Sequence, residues 1–114
     1  MSGFSELVAA RFSCRAYKTD PVPRTDIENI LEAARLAPSA CNQQPWRFAV
    51  ATDPAIRARL LDEGVLPGLG MTWALAAPVV LVLGMKKSVI THRVAPLLSK
   101  VEYALLDLGI AGEH

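Results

Sequence analysis

The sequence predicts a layered domain of helices and strands, α+β or α/β in class, on two observations. Apolar residues recur with helical and then strand-like spacing, in the order helix, helix, strand, helix, strand, helix. Proline and glycine fall at the joins between these stretches. At 114 residues the chain has the length of one domain, so residues 1–114 are read as a single unit with a modest core.

The first helix is expected from about Phe4 to Arg11, with Phe4, Leu7 and Val8 on one side. Ser13 to Tyr17 reads as extended, and Pro21 and Pro23 enforce a break because proline fixes φ and restricts its predecessor. Thr25-Asp26-Ile27-Glu28 has the form of a capping box. Ile27, Ile30, Leu31 and Ala34 follow at helical spacing, which predicts an amphipathic helix over Asp26 to Leu36 that ends at Pro38. Pro38 to Pro45 is a polar loop, and Trp46 to Ala51 has strand composition.

Asp53-Pro54 is a helix start, a capping side chain followed by proline at the first helical position. Ile56, Leu60 and Leu61 supply its buried face and Gly64 closes it. Gly64 to Gly70 reads as a flexible connection, Val79 to Leu83 as an interior strand, and the stretch to about Arg93 as loop. From Val94 onward one long helix is expected. Its Leu97, Leu98, Val101, Ala104, Leu105, Leu108 and Ile110 leave few polar positions, so burial on most sides follows. Two strands make a marginal sheet, and the last helix reaches His114 without a cap. The chain is therefore expected to stop inside an element.

The hydrophobic fraction, 52%, lies above the roughly 45–50% of ordinary domains, which implies a well-filled core or an apolar face meant for another subunit. Twelve Lys and Arg stand against eleven Asp and Glu with no basic run, so nothing points to nucleic acid or an anionic membrane. The amino end lacks a basic start followed by an apolar stretch. The most apolar segment, Trp73 to Met85, is interrupted by Pro78 and is too short for the ~20 residues of a membrane span. The expectation is a soluble, cytoplasmic protein. Cys14 and Cys41 match no metal spacing, and His92 and His114 have no companion ligands, so buried or incidental thiols and no metal site are expected.

Two constellations could carry chemistry. Arg11, Ser13 and Arg15 point the same way from an extended backbone. Two guanidinium forks flanking a hydroxyl suit a phosphate; the plainer reading is a solvated basic edge. The second is Pro38-Ser39-Ala40-Cys41-Asn42-Gln43-Gln44-Pro45-Trp46. Its small residues let a ligand approach the backbone, and Asn42 and Gln44 each offer donor and acceptor, as the edge of a heterocycle requires. The plainer reading is a polar turn. Gly68-Leu69-Gly70 has no preceding strand and reads as ordinary loop, and Lys86-Lys87 as a solvated turn. Glu102 and Asp107 do not project from one helix face as an acid–base pair, and no nucleophile–histidine–acid set is identifiable.

Together these segments resemble the nitroreductase family of FMN-dependent oxidoreductases. Arg11-Phe12-Ser13-Cys14-Arg15-Ala16-Tyr17 is similar to its Arg-x-Ser-x-Arg-x-aromatic motif, and Ala34 to Trp46 to its helix-to-strand signature. Ala77-Pro78-Val79-Val80-Leu81-Val82 resembles the next family strand, and Asp107 to His114 the start of its central helix. The resemblance implies an α+β fold with a mixed sheet flanked by helices, in a homodimer with the flavin at its interface. Arg11, Ser13 and Arg15 would hold the FMN phosphate and ribityl chain, with Phe12 counted among the cofactor-binding residues. Ser39, Ala40, Asn42 and Gln44 would lie beside the isoalloxazine, with Pro38 shaping the loop, the two sets coming from different subunits. The implied chemistry is ping-pong, from NAD(P)H to flavin and then to a nitroaromatic, quinone or similar acceptor, with no acid–base dyad required. A reductive dehalogenase of the same fold is the neighbouring possibility. The family pattern continues past the central helix, which leads to the expectation of a C-terminally truncated chain with weakened flavin binding, or a non-catalytic fragment that only dimerises.

Overall fold

The computed structural model describes residues 3–64, 70–86, 97 and 100–114. Helix α1 spans Phe4–Ala10. The Glu6 carboxylate accepts the N–H of Gly3 at 3.0 Å, and Arg11 leaves the helix for extended backbone at φ −66°, ψ 133°. Nothing in α1 is buried, and Phe4 is 81% exposed. Its apolar side, with Leu7 and Val8, therefore has no cover within the described protomer.

Helix α2 spans Arg24–Arg35, starting earlier than the sequence pattern implies. The expected Thr25 capping box does not form. Pro23, at φ −56° and ψ 141°, turns the chain directly into the helix, and its carbonyl accepts the N–H groups of Asp26 and Ile27. Thr25 is thus already inside the first turn, and Glu28 pairs with Arg24 Nε at 2.7 Å instead of reaching back to a cap.

Strand β1, Trp46–Ala51, has the expected bounds. Strand β2, Val80–Met85, begins one residue later than expected and runs two further. The two pair antiparallel, from Trp46 opposite Met85 to Ala51 opposite Val80. The N–H of Lys86 donates to Pro45 O at 2.8 Å and carries the ladder one step past the strand ends. These two strands are the whole sheet among the described residues.

Between them lies α3, Pro54–Glu63. The Asp53 carboxylate accepts from Ala55 N at 2.9 Å and Ile56 N at 3.1 Å, satisfying two of the orphan donors at the helix start. Gly64 closes α3 through its N–H to Leu60 O at 3.0 Å. Leu60 and Leu61 are half-buried, but Ile56 is exposed, so the expected buried face is only partly covered. The Arg57 guanidinium donates to Ala77 O and tethers α3 to the short 3-10 helix Thr72–Ala76 that precedes β2.

The last helix, α4, spans Tyr103–Glu113. One continuous helix from Val94 is not what forms. Among the described residues Lys100 is left-handed at φ 59° and Glu102 non-helical at φ −82°, ψ 73°, so the helix begins only at Tyr103. Burial is also one-sided. Ala104, Asp107 and Ala111 are buried, whereas Leu105 is 70% exposed and Leu106 is exposed too.

Helix α4 packs on α2 and across both strands. The core there is Ala37, Trp46 and Ala111, flanked by half-buried Phe48, Leu83 and Ile110. Apart from Trp46, the buried hydrophobic residues among those described are all alanines. Each removes little apolar area from water, at roughly 0.8 kcal/mol per buried CH₂. The other large apolar side chains among the described residues are half-buried, as Leu31 and Leu60 are, or exposed, as Phe4 and Leu105 are. The radius of gyration, 16.5 Å, exceeds the ~13 Å of a compact domain of this length. Residues 65–69 of the expected connection, the expected loop over 87–93, His92 and Lys87 lie outside the described residues.

Candidate functional site

Leaving α1, the chain enters an exposed, irregular segment in which Arg11 Nη1 donates to Ser13 Oγ at 3.4 Å. The two side chains therefore share a side, as their spacing implies. Cys14 Sγ donates to Ala16 O at 2.9 Å and the Tyr17 hydroxyl to Cys14 O at 3.1 Å, local side-chain bonds that brace a segment with no turn or bend from Arg11 to Thr19. Tyr17 then stacks on Trp73 with ring centroids 5.9 Å apart. Phe12 is exposed, and Arg15 makes no hydrogen bond or ion pair among the described residues.

The other arginines among the described residues are committed elsewhere. Arg24, Arg35 and Arg59 pair with Glu28, Glu32 and Glu63, and Arg47 and Arg57 donate to carbonyls. In the first two pairs the hydrogen bond to the carboxylate raises the arginine pKa, and the Glu32 carboxyl is held below its ordinary value by the same contact with Arg35. Arg11 and Arg15 are thus the arginines without a carboxylate or carbonyl partner among the described residues.

The second group is the loop between α2 and β1. Pro38 is exposed, Ser39 and Ala40 are half-buried, and Ala40–Asn42 form a short 3-10 helix. Cys41, Asn42 and Gln44 all have left-handed backbone, at φ 51°, 51° and 46°. For residues with a Cβ this conformation costs roughly 1–2 kcal/mol each, so the surroundings must hold it. Ser39 Oγ accepts the N–H of Gln44 at 2.8 Å, Ser39 O accepts from Asn42 N at 2.9 Å, and Ala40 O from Gln43 N at 3.2 Å. The Cys41 N–H and the side-chain amides of Asn42 and Gln44 remain without partners among the described residues. Pro45 and Trp46, buried beneath, anchor the exit.

The loop's entry is held by a residue that sequence reasoning missed. Asp107 Oδ1, on α4, accepts the N–H of Ala40 at 2.9 Å, and the residue is 1% exposed. The signal was present: Asp107 is a carboxylate on a nearly all-apolar helix, placed three after Ala104 and four before Ala111, on the face that is buried. Pairing it only with Glu102 as an acid–base candidate hid that role.

The structure thus joins Arg11 to Ser13, Ser39 to Gln44, and Ala40 to Asp107. No hydrogen bond among the described residues joins the arginine segment to the loop. Both cysteines are free and exposed, and no cluster of three metal-ligating side chains occurs among the described residues.

Helices packed on an antiparallel pair of strands define an α+β protein. Residues 8–64, half of the chain and inclusive of both motifs, match the Nitroreductase family, and the chain belongs to it. An NADH dehydrogenase of Thermus thermophilus is 48% identical over 73 residues, 64% of this chain and 34% of that protein. Rat iodotyrosine deiodinase 1 is 39% identical over 59 residues, 52% of this chain and 21% of that protein. Among solved structures, an FMN-dependent nitroreductase of Clostridium difficile superposes with a TM-score of 0.71 at 28% identity, over 91% of this chain and 53% of that one. The chain spans about a third or less of these curated relatives and about half of the solved nitroreductase.

Proposed function

We propose that this chain forms part of an FMN-dependent oxidoreductase that passes reducing equivalents from NAD(P)H to a nitroaromatic, quinone or similar acceptor. The observation that carries the reading is the presence of two exposed sets of unpartnered donors matched to the two ends of one molecule. Arg11 and Arg15 have no anionic partner among the described residues, which suits a phosphate. The Cys41 N–H, Asn42 and Gln44 offer unfilled hydrogen-bonding capacity, which suits the edge of a flavin ring. The residues present therefore fit FMN. Family membership, and the names of an NADH dehydrogenase and an FMN-dependent nitroreductase among the similar proteins, support the same reading.

When bound, FMN supplies the hydride acceptance and redelivery. Arg11 and Arg15 bind its phosphate as two guanidinium forks, with Ser13 held beside Arg11 to accept or donate one further bond. Phe12, exposed between them in sequence, is counted with the cofactor-binding set. Pro38 fixes the loop's entry, and Ser39 holds its curvature. Ala40 leaves room for the ring to approach the main chain, and Asn42 and Gln44 orient the ring's polar edge. In this reading the two sets come from different protomers of a homodimer. In support, no hydrogen bond among the described residues joins them within one chain, and α1 and α4 each leave an apolar face exposed. A cytoplasmic location fits the two free, exposed cysteines. No helix among the described residues is long and apolar enough to cross a membrane.

The similarity to iodotyrosine deiodinase favours one second reading, reductive dehalogenation of a halogenated phenol. The deciding experiment is spectroscopic. Protein reconstituted with FMN should be yellow, should bleach on anaerobic addition of NADPH or NADH, and should regain colour with a nitroaromatic or quinone. Colour regained only with a halophenol, with halide released, selects the second reading. A protein that stays colourless after reconstitution refutes both.

A further inference from the structure

We infer that Asp107 is a positioning residue for the loop between α2 and β1, setting from α4 the conformation in which Asn42 and Gln44 are presented. The inference rests on the flavin reading for its ligand, but not for its geometry. Asp107 is 1% exposed and aims a carboxylate oxygen at the Ala40 N–H, 2.9 Å away. Ala40 is the first residue of the 3-10 turn, and the three left-handed residues follow within four positions. Left-handed backbone at Cys41, Asn42 and Gln44 is unfavourable on its own, so the loop needs fixed anchors at both ends. The Ser39 hydroxyl ties the far end through Gln44 N, and Pro45 and Trp46 are buried beneath it. The near end is tied to the rest of the fold through Asp107, 67 positions away in sequence.

A carboxylate acceptor is stronger than a neutral one, and in a buried setting its bond is poorly replaced by water. The same bond selects which main-chain donors remain for a ligand. Ala40, Asn42, Gln43 and Gln44 spend their N–H groups within the protein, leaving that of Cys41. Asp107 thereby acts on the ligand through the loop, not by touching it. Its position on α4 also links loop geometry to the docking of that helix on α2 and the sheet.

The test removes the bond from each end separately. Asp107→Leu deletes the acceptor and keeps the branched outline of the side chain, at a larger volume. Ala40→Pro deletes the donor without altering the buried helix, and Ser39 at φ −141°, ψ 157° already has the extended backbone a following proline requires. Hydrogen exchange at the Asn42 and Gln44 amides is measured in the purified protein without flavin, and FMN affinity is then measured by fluorescence quenching. Each variant should speed loop exchange at least tenfold and weaken FMN about tenfold, and the double variant should be no worse than the worse single one. Unchanged exchange in Ala40→Pro, or losses that add in the double variant, would overturn the assignment. If Asp107→Leu fails to fold, Ala40→Pro alone still decides through loop exchange. If the wild-type protein does not take up FMN, the flavin reading falls while the exchange results still judge the role of Asp107.

Discussion

The Ser39 hydroxyl accepts the main-chain N–H of Gln44 at 2.8 Å, so one side chain closes the loop that carries Asn42. Removing it leaves a left-handed residue without its tie. A net hydrogen bond is worth about 1 kcal/mol, which corresponds to roughly fivefold in binding. Ser39→Ala should therefore weaken FMN by up to about fivefold in a fluorescence titration and lower the melting temperature by a few degrees. Equal affinity in the two proteins would show that the loop keeps its shape without this bond.

Arg11 and Arg15 should act on the phosphate and not on the ring. Each charge-assisted bond is worth about 1.5–3 kcal/mol, so losing both should cost on the order of a hundredfold or more. Replacing both by Ala should produce that loss for FMN and leave riboflavin, which lacks the phosphate, unaffected. A parallel loss for riboflavin would mean that the arginines support the fold instead.

The sequence made β1, α3 and the loop legible because each is specified locally. Trp46 to Ala51 has strand composition, Asp53 is followed by proline, and two prolines bracket the loop. The start of α2 was misread because Thr25 and Glu28 have capping-box spacing while Pro23 already sets the entry angle. The break before α4 was invisible because Lys100 is no glycine, and nothing local marks a lysine as left-handed. Arg11 and Ser13 could be placed on one side from their spacing, but Asp107 could not be placed against Ala40, since a contact over 67 positions depends on how α4 docks.

The Asp53 cap makes a stability prediction independent of any ligand. Its carboxylate accepts from Ala55 and Ile56 at the first turn of α3. Truncating such a cap costs about 1 kcal/mol. Asp53→Ala should lower the unfolding free energy by about that amount in a denaturant titration, with Asp53→Asn losing less. Identical midpoints for Asp53→Ala and the wild type would contradict the assignment.

Glu32 makes a prediction with a definite sign. Its carboxyl pKa is lowered chiefly by the hydrogen bonds from Arg35, at 2.7 Å to Nε and to Nη2. A carboxyl depressed in the folded state stabilises above its unfolded pKa, and that contribution is lost as pH falls through the folded pKa. Glu32→Gln should thus melt slightly lower than wild type at neutral pH, and the gap should close in acid below the carboxylate range. The pair is exposed, so added salt should narrow the neutral-pH gap too. A gap that persists in acid would assign the effect to packing.

Leu105 offers the sharpest test of self-association. It is 70% exposed on α4, with Leu106 exposed beside it, while Asp107 on the opposite side is buried. A surface leucine on its own is ordinary, but two adjacent ones on an otherwise apolar helix leave a face that water covers poorly. Burying a leucine is worth about 1.5–3 kcal/mol, and a two-fold contact counts each position twice. Leu105→Glu replaces that gain with two carboxylates drawn out of water near one another. Sedimentation should show the wild type as a dimer and the variant as a monomer with α4 still helical by circular dichroism. If the arginine and loop sets meet only across that contact, FMN affinity should fall with the dimer, and raising the protein concentration should restore both together. A variant that becomes monomeric yet binds FMN as tightly as before would show that a single protomer completes the site.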